Sequence, residues 1–547
     1  MKISGHIVDV INREIFSGLI EVKENKIISI QRTVDCDDVY ILPGLVDSHV
    51  HIESSMTIPS RFAQMVTPRG TVAVVSDPHE IANVLGREGV KFMIDDAAKV
   101  PLKCFFGVPS CVPATSFETS GSQIAPKDVD FLFDNGGWFL AEMMNFPGVI
   151  YDDADVHEKL LMARRRGRRV DGHAPGLTGA QLKKYIDSGI STDHECSTLE
   201  EAVEKIENGM LIQIREGSAA RNFEALWTLI RDYPDKIMLC TDDSHPDLIL
   251  QQGHIDRLIR RGLAKGLSIF DLYRAALINP VDHYQIPVGK LQVGDKADFI
   301  LVNNLDEFIV QSTFINGQKV ASHGEVYFDL PPVHVVNTFN CEPIQAAQLE
   351  IKMPQKGNSL RVMDASDGEL LTSTYHWKPN LRKGEVVKPD LEADILKIVV
   401  VNRYQNSDPV VGYIRNFELK QGAIAGSIAH DSHNIIAVGC DDVSLEQVIN
   451  SIIEVKGGIS AFNGTELQRI SLPIAGLMTD IPGFKIAKEY DLLNNFVKEM
   501  GTKLKTPFMT LAFMSLLVIP SLKIGDKGLF DVNSFTFTDL FLDSKCD

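Results

Sequence analysis

The sequence lacks paired cysteines. Its eight cysteines, at positions 36, 104, 111, 196, 240, 341, 440 and 546, are scattered with no short spacing between any two. That argues against a disulfide framework and against a zinc ribbon, and it suits reduced thiols in the cytosol. Long apolar runs are also missing. The most apolar stretch, Phe508–Ile519, is too short to span a bilayer and stops at Pro520, so it reads as buried core. The opening residues M-K-I-S-G-H-I-V-D-V have no apolar centre of the signal-peptide kind. Positive charge is scarce: 54 Lys and Arg stand against 73 Asp and Glu, a net charge of −19. Such a chain repels nucleic acid and anionic lipid, which leaves a small neutral or cationic substrate and no nucleic-acid or membrane partner. The one basic run, R-R-R-G-R-R at Arg164–Arg169, falls at the end of a helical pattern, where a helix C-terminus favours cations. Internal repeats and low-complexity segments are absent. A chain of 547 residues, 44% hydrophobic and 23% charged, is ordinary globular protein of two or three domains.

What the sequence does have is a dense motif at Leu42–Met56, L-P-G-L-V-D-S-H-V-H-I-E-S-S-M. A Pro-Gly turn leads into a short apolar strand. Residues two apart on a strand point to one face, so His49 and His51 lean together, with Asp47 at the same parity to join or orient them. Before this motif, residues 1–41 break into short β-like pieces (Lys2–Val10, Gly18–Val22, Lys26–Arg32) with no cluster of catalytic side chains. After it, apolar strands alternate with helix-like segments, the pattern of parallel βα units. The strands are Leu42–His51, Thr71–Asp77, Leu102–Val108, Gly137–Met143, Arg168–His173, Ile190–His194, Leu211–Glu216 and Ile237–Asp242. The helices between them include Pro59–Val66, His79–Asp96, Val156–Arg166, Thr178–Ser188, Ser197–Asn208 and Asn222–Arg231, with Thr178 and Ser197 placed to cap theirs. Eight such strands are the count of a (β/α)8 barrel.

The strand ends carry more information than the count. His49 and His51 close the first strand, Asp77 and His79 the second, Glu142 the fourth, His173 the fifth, His194 the sixth, Glu216 the seventh and Asp242 the eighth. Barrel strand C-termini converge on one rim, where active sites sit. Four histidines, a glutamate and an aspartate there are enough donors for two metal ions. Imidazole suits Zn, Fe, Mn or Co, and carboxylates shift the preference toward Mn and Fe. Two such ions lower the pKa of a shared water from about 15.7 toward ~7, and a carboxylate such as Asp242 can accept its proton. The chemistry that follows is hydrolysis of a C–N bond or an ester.

Past the barrel, Gly289–Val302 and its continuation to about Val326, with a turn at Asn316-Gly317, read as strands that pair with the N-terminal unit. Pro331-Pro332 marks a linker. The remainder, 333–547, carries strands (Ile398–Val401, Gly422–Ser427, Ile435–Gly439) and helices (Ser444–Ile453, Lys485–Met500). It also has one conspicuous polar loop, A-H-D-S-H-N at Ala429–Asn434.

His-x-His after strand one, His after strands five and six, and Asp after strand eight resemble the amidohydrolase superfamily. Many of its binuclear members place a carboxylated lysine after the fourth strand; here Glu142 stands there. That glutamate, with S-D-P-H-E, D-G-H-A-P-G, T-D-H-E, C-T-D-D, A-H-D-S-H-N and P-I-A-G-L-M-T-D, resembles the bacterial-type adenine deaminase family across essentially the whole chain. The G-L-M-T-D-I-P-G stretch at Gly476–Gly483 stands close to the family's form. The resemblance implies an amidohydrolase-type TIM (β/α)8 barrel, residues 43–280, inserted in a small β-sandwich domain made of 1–42 and 281–330. A C-terminal α+β domain at 333–547 completes it.

The implied metal ligands are His49, His51, Glu142, His173, His194 and Asp242, with Glu142 bridging and Asp242 doubling as proton shuttle. Two ions, Mn(II) or Fe(II) first and Zn(II) next, would supply a metal-bound hydroxide that converts adenine and water to hypoxanthine and ammonia. Glu195 and Glu216 are candidates to protonate the purine ring. Asp77, His79, His430, Asp431, His433 and Asn434 are candidates for substrate contact or for orienting the ligands. A cytosolic homodimer is implied as well. The rival readings are a guanine-deaminase-like or dihydroorotase-like hydrolase, and an inactive barrel kept as a structural partner.

Overall fold

A computed structural model describes residues 1–542; Cys546 lies outside them. The seven cysteines among the described residues are free. No helix among these residues is long and apolar enough to cross a membrane.

Residues 45–243 form a curled parallel sheet with eight strand positions. Strands one to five are Leu45–His51, Thr71–Ser76, Lys103–Val108, Phe139–Met143 and Val170–Gly172; six and seven are Thr192–Asp193 and Leu211–Arg215. The eighth comes in two pieces, Ile237–Cys240 and Asp242–Asp243. The strands are almost wholly buried, as parallel strands covered by helices must be. Pairing divides them into sheets of six and three. One seam is bridged where Ser191 donates to the Val170 carbonyl (3.0 Å) and Leu211 donates to the Ser191 carbonyl (2.9 Å). The other is closed where Asp242 and Asp243 pair in parallel with Val50 and His51. The Pro-Gly turn before the first strand has a steric reason: a Cβ on Gly44 would lie 2.2 Å from a Val72 methyl.

Tyr40–Pro43, just before the barrel, pairs antiparallel with Phe299–Val302, just after it. Lys2–Asp9 lies parallel to the same Tyr40–Pro43 strand. The result is one connected eight-stranded sheet built from both ends of the barrel segment. Asn316 and Gly317, at φ of 50° and 76°, make the tight hairpin turn between Val310–Ile315 and Gln318–Ser322.

The C-terminal body holds a nine-stranded sheet with helix Asp442–Val455 against it. It is fastened to the barrel rim. Thr479 donates to the Met56 carbonyl at 2.9 Å, at the end of the 3-10 turn Ile52–Ser55 that follows the His-x-His strand, and Arg61 donates to the Asp480 carbonyl at 2.7 Å. The apolar run expected as core is core: helix Pro507–Ala512 and the 3-10 turn Phe513–Ser515 are buried throughout.

Three local readings of the sequence need correction. The helix expected over His79–Asp96 is two helices, His79–Leu85 and Arg87–Ala97, parted at Gly86 with φ of 63°. The helix expected over Asn222–Arg231 is also two short pieces, Phe223–Leu226 and Leu229–Asp232. The cap of Leu199–Glu207 is Thr198, whose side chain accepts from the Glu201 amide, and Ser197 lies outside it.

Candidate active site

The local cause of the site is strand geometry. His49 and His51 close the first strand on one face, and their Nε2 atoms come within 3.2 Å of each other. Asp47, one step earlier on that face, does not join them. Its Oδ1 accepts from the backbone amides of His49 (3.3 Å) and Thr241 (3.1 Å), and its Oδ2 lies 3.0 Å from His254 Nε2. Asp47 therefore ties the first strand to the eighth and sets the direction of His49. Asp242 has a φ of 53°, left-handed backbone that an aspartate tolerates better than most residues. That kink separates the two pieces of the eighth strand and brings Oδ1 to 3.5 Å from His49 Nε2 and 3.2 Å from His51 Nε2.

Glu142, from the fourth strand, lies at the centre. Its Oε1 is 3.3 Å from His51 Nε2 and 3.4 Å from His79 Nδ1. Its Oε2 is 2.8 Å from His173 Nδ1 and 3.2 Å from His194 Nε2. Glu195 approaches both His173 and His194 at 3.5 Å through its own Oε1. All these side chains are buried.

Such a cluster can be buried only if its charges balance. Burial alone would push the Glu142 and Asp242 carboxyls up. The surrounding cations overcome it: His173 and His194 hold Glu142 well below the usual carboxylate range, and Arg215 with His49 and His51 does the same for Asp242. The histidines respond in kind. Burial opposes charge on His51, yet Asp242 and Glu142 keep it well above an ordinary imidazole. His173 is lifted to about 9 by Glu195 and Glu142 against its burial, and His194 rises for a similar reason. His49 goes the other way, lowered by burial and by neighbouring His194. The cluster thus draws protons to positions where cations neutralise carboxylates.

Divalent cations fit the same positions. Several donor groups converge within 4.8 Å, among them His51, Asp77, His79 and Glu142; His49, His51 and Asp242; His49, Glu142 and His194; and His173, His194 and Glu195. The imidazole and carboxylate mixture suits first-row divalent metals. Metal and proton compete for these nitrogens.

The remaining expected residues divide clearly. Asp77 stands at the edge of the cluster, its carboxylate within 4.8 Å of donor atoms of His51, His79 and Glu142: its carbonyl is 3.0 Å from His51 Nδ1 and its Oδ2 is 3.1 Å from His79 Nδ1. His79, His430 and Asp431 line the cavity. Asp431 Oδ1 lies 3.5 Å from His430 Nδ1 and 3.9 Å from His79 Nε2, so the C-terminal body reaches the barrel rim here. His433 is fully buried behind this wall, with neither ring nitrogen hydrogen-bonded. Asn434 is a fastener: its Nδ2 donates to the Thr119 carbonyl at 3.0 Å and its Oδ1 accepts from the Arg403 amide.

Glu216 does not join the cluster and is a correction. The residue at the end of a strand that faces the rim is its neighbour Arg215; Glu216, of opposite parity, turns outward to Arg261 Nη1 at 2.5 Å. Arg215 was missed, although a buried arginine closing an apolar strand was there to be read. It grips both oxygens of Glu195 and donates to Asp242 Oδ2 at 2.5 Å. Also missed were Glu80 and Asp243, within the motifs S-D-P-H-E and C-T-D-D, and the apolar residues Met144, Leu370, Phe513 and Leu516, which carry no distinctive signal. The cavity these side chains line is about 30 Å³.

A rim of histidines and carboxylates on a curled parallel sheet defines a class. Residues 40–320 match the amidohydrolase family, and the chain belongs to it. Residues 369–536 match the adenine deaminase C-terminal domain. Adenine deaminase of Methanosarcina mazei is 54% identical over 99% of this chain and 100% of its own length. Adenine deaminase of Sulfurovum sp. is 48% identical over 98% and 99%, and that of Salinibacter ruber 47% identical over 99% of both. Within the amidohydrolases, the chain is a member of the adenine deaminase family.

Proposed function

We propose that the protein converts adenine and water to hypoxanthine and ammonia. The observation that carries this reading is the convergence of His49, His51, Glu142, His173, His194 and Asp242 in one buried cluster, five of them lining the cavity and His49 beside them, in a chain of this family. We assign these six as the residues that would hold two divalent ions; Mn(II), Fe(II) and Zn(II) suit the donors. Divalent ions held there supply Lewis acidity that makes water nucleophilic near neutral pH.

The chain's own groups do the rest. Asp242, kept as a carboxylate by Arg215 and the adjoining histidines, accepts a proton from the attacking water and returns it to the departing amine. A purine ring nitrogen must gain a proton as carbon 6 becomes tetrahedral. Glu216 faces the wrong way for this, and Glu195 is gripped through both oxygens by Arg215. The groups that suit the task are on the cavity wall: Glu80, whose carboxyl burial pushes up, and His430, which Glu80 and Asp431 lift to about 9 despite its burial. The cavity, about 30 Å³, is far smaller than the roughly 300–1,000 Å³ of ligand pockets, so its walls must part to admit adenine and would have to part further for a nucleoside. Free, scattered cysteines suit work in a reducing cytosol.

The test is the ultraviolet change of adenine with metal-loaded enzyme, run beside adenosine, guanine and dihydroorotate. Loss of adenine with little change in the others is expected. Hydrolysis of guanine or dihydroorotate with adenine untouched overturns the assignment.

A further inference from the structure

The two halves of the cavity differ in chemistry. Apart from Met144, the side chains that the barrel contributes are ionisable. The other apolar groups, Leu370, Phe513 and Leu516, all come from the C-terminal body. Phe513 and Leu516 are 4% and 5% exposed. A purine has a polar edge and two apolar faces, so a site made only of charged groups would leave its faces poorly covered. Base faces on aromatic side chains are a general solution to that problem.

Phe513 is held in place with unusual care. It opens the 3-10 turn after helix Pro507–Ala512, and the backbone amide of His430 donates to the Ala512 carbonyl at 3.1 Å. The His430 ring stacks on Phe513 with centroids 4.6 Å apart and planes 15° from parallel. Lys523, fully buried, donates to the Phe513 carbonyl at 2.9 Å and to the Leu370 carbonyl at 2.7 Å. One lysine therefore pins two separate segments of the cavity wall.

We propose that Phe513, with Leu370 and Leu516, is the specificity-determining wall that receives the face of the purine, and that Lys523 is its positioning residue. This rests on the deaminase reading above for the identity of the ring. The barrel would then supply the reacting edge and the C-terminal body the aromatic face, so neither half binds the base alone.

The experiment uses full-length, metal-loaded enzyme. Hypoxanthine binding by calorimetry reads the wall without turnover, and steady-state kinetics with adenine reads KM and kcat separately. Phe513→Ala should weaken hypoxanthine binding and raise the adenine KM by about 5- to 150-fold, the range of base–aromatic stacking. Metal content should stay at the wild-type level, with kcat falling less than KM rises. Phe513→Leu keeps the volume and serves if the alanine variant folds poorly; it should lose much of the same affinity, and Phe513→Tyr should restore it. Lys523→Met should raise KM in the same direction. Wild-type affinity in the alanine and leucine variants overturns the wall assignment while leaving the deaminase reading standing. A wild-type enzyme that ignores adenine overturns that reading instead. If that enzyme still binds hypoxanthine, the Phe513 variants decide the wall; if it binds no purine, both fall.

Discussion

The Nε2 atoms of His49 and His51 face each other across 3.2 Å, and His51 Nδ1 is already engaged with the Asp77 carbonyl. One proton between them makes an N–H···N hydrogen bond, whereas a divalent cation takes both lone pairs together with Asp242 Oδ1, which lies 3.5 Å and 3.2 Å from them. Purified protein supplied with Mn or Fe should therefore carry about two ions per chain by elemental analysis. Chelation should abolish turnover, and re-addition should restore it. His51→Ala should abolish activity and also lower the denaturation midpoint of the metal-free protein, because His51 neutralises buried Glu142 and Asp242 there. A folded preparation that never takes up metal contradicts this.

Glu142 offers one oxygen to His51 and the other to His173 and His194. Glu142→Gln keeps the shape and removes the charge. It should lose close to half of the bound metal and at least about 100-fold in kcat, beyond the 10–100-fold typical of residues that only support a ligand. Activity should not depend on added bicarbonate, since no lysine must be carboxylated. Full metal content in the variant would show that Glu142 supports the ligands without being one.

Arg215 neutralises two buried carboxylates at once, Glu195 and Asp242. Arg215→Met leaves both uncompensated. Breaking a buried pair from one side costs about 3–5 kcal/mol, measurable by urea denaturation of the metal-free protein. Turnover should fall with it, because Asp242 loses the partner that keeps it ionised. Arg215→Lys should recover part of the stability and little of the activity, since an ammonium cannot grip both oxygens of Glu195 while reaching Asp242.

Behind the sixth strand, fully buried Lys205 donates to Asp193 at 3.0 Å, Glu201 at 2.7 Å and the Ala174 carbonyl at 2.7 Å. Burial would raise the Asp193 carboxyl, but Lys205 brings it down to about 2. Its folded value lies below its unfolded one, so the stability it adds is complete above the unfolded pKa and disappears as pH falls through about 2. The shift corresponds to about 2–3 kcal/mol. In Lys205→Met that contribution is lost, so acid unfolding followed by circular dichroism should begin at a higher pH than in wild type. An unchanged acid transition contradicts the pairing.

Most of the rim was legible because a strand has a two-residue period and a barrel gathers its strand ends. His49, His51, Glu142, His173, His194 and Asp242 each follow from those two facts. Parity failed at Glu216 because the seventh strand places Arg215, not its neighbour, on the rim. The breaks at Gly86 and within 222–231 escaped notice because helix periodicity survives a one- or two-residue interruption. The cavity's apolar wall was not legible at all. Leu370 and Phe513 lie far apart in sequence, and only folding brings them under one lysine.

The eight-stranded sheet joins Tyr40–Pro43 to Phe299–Val302 across the whole barrel segment. During synthesis at about 5–20 residues per second, the N-terminal strands must wait tens of seconds for the partners that complete their sheet. The barrel between them emerges first, with its His-x-His strand held at one end by an unfinished structure. For that interval Ile41 and Leu42, fully buried in the finished protein, have no partner strand on one side. The nascent chain is exposed to misassociation there until the last strands of the composite sheet leave the ribosome.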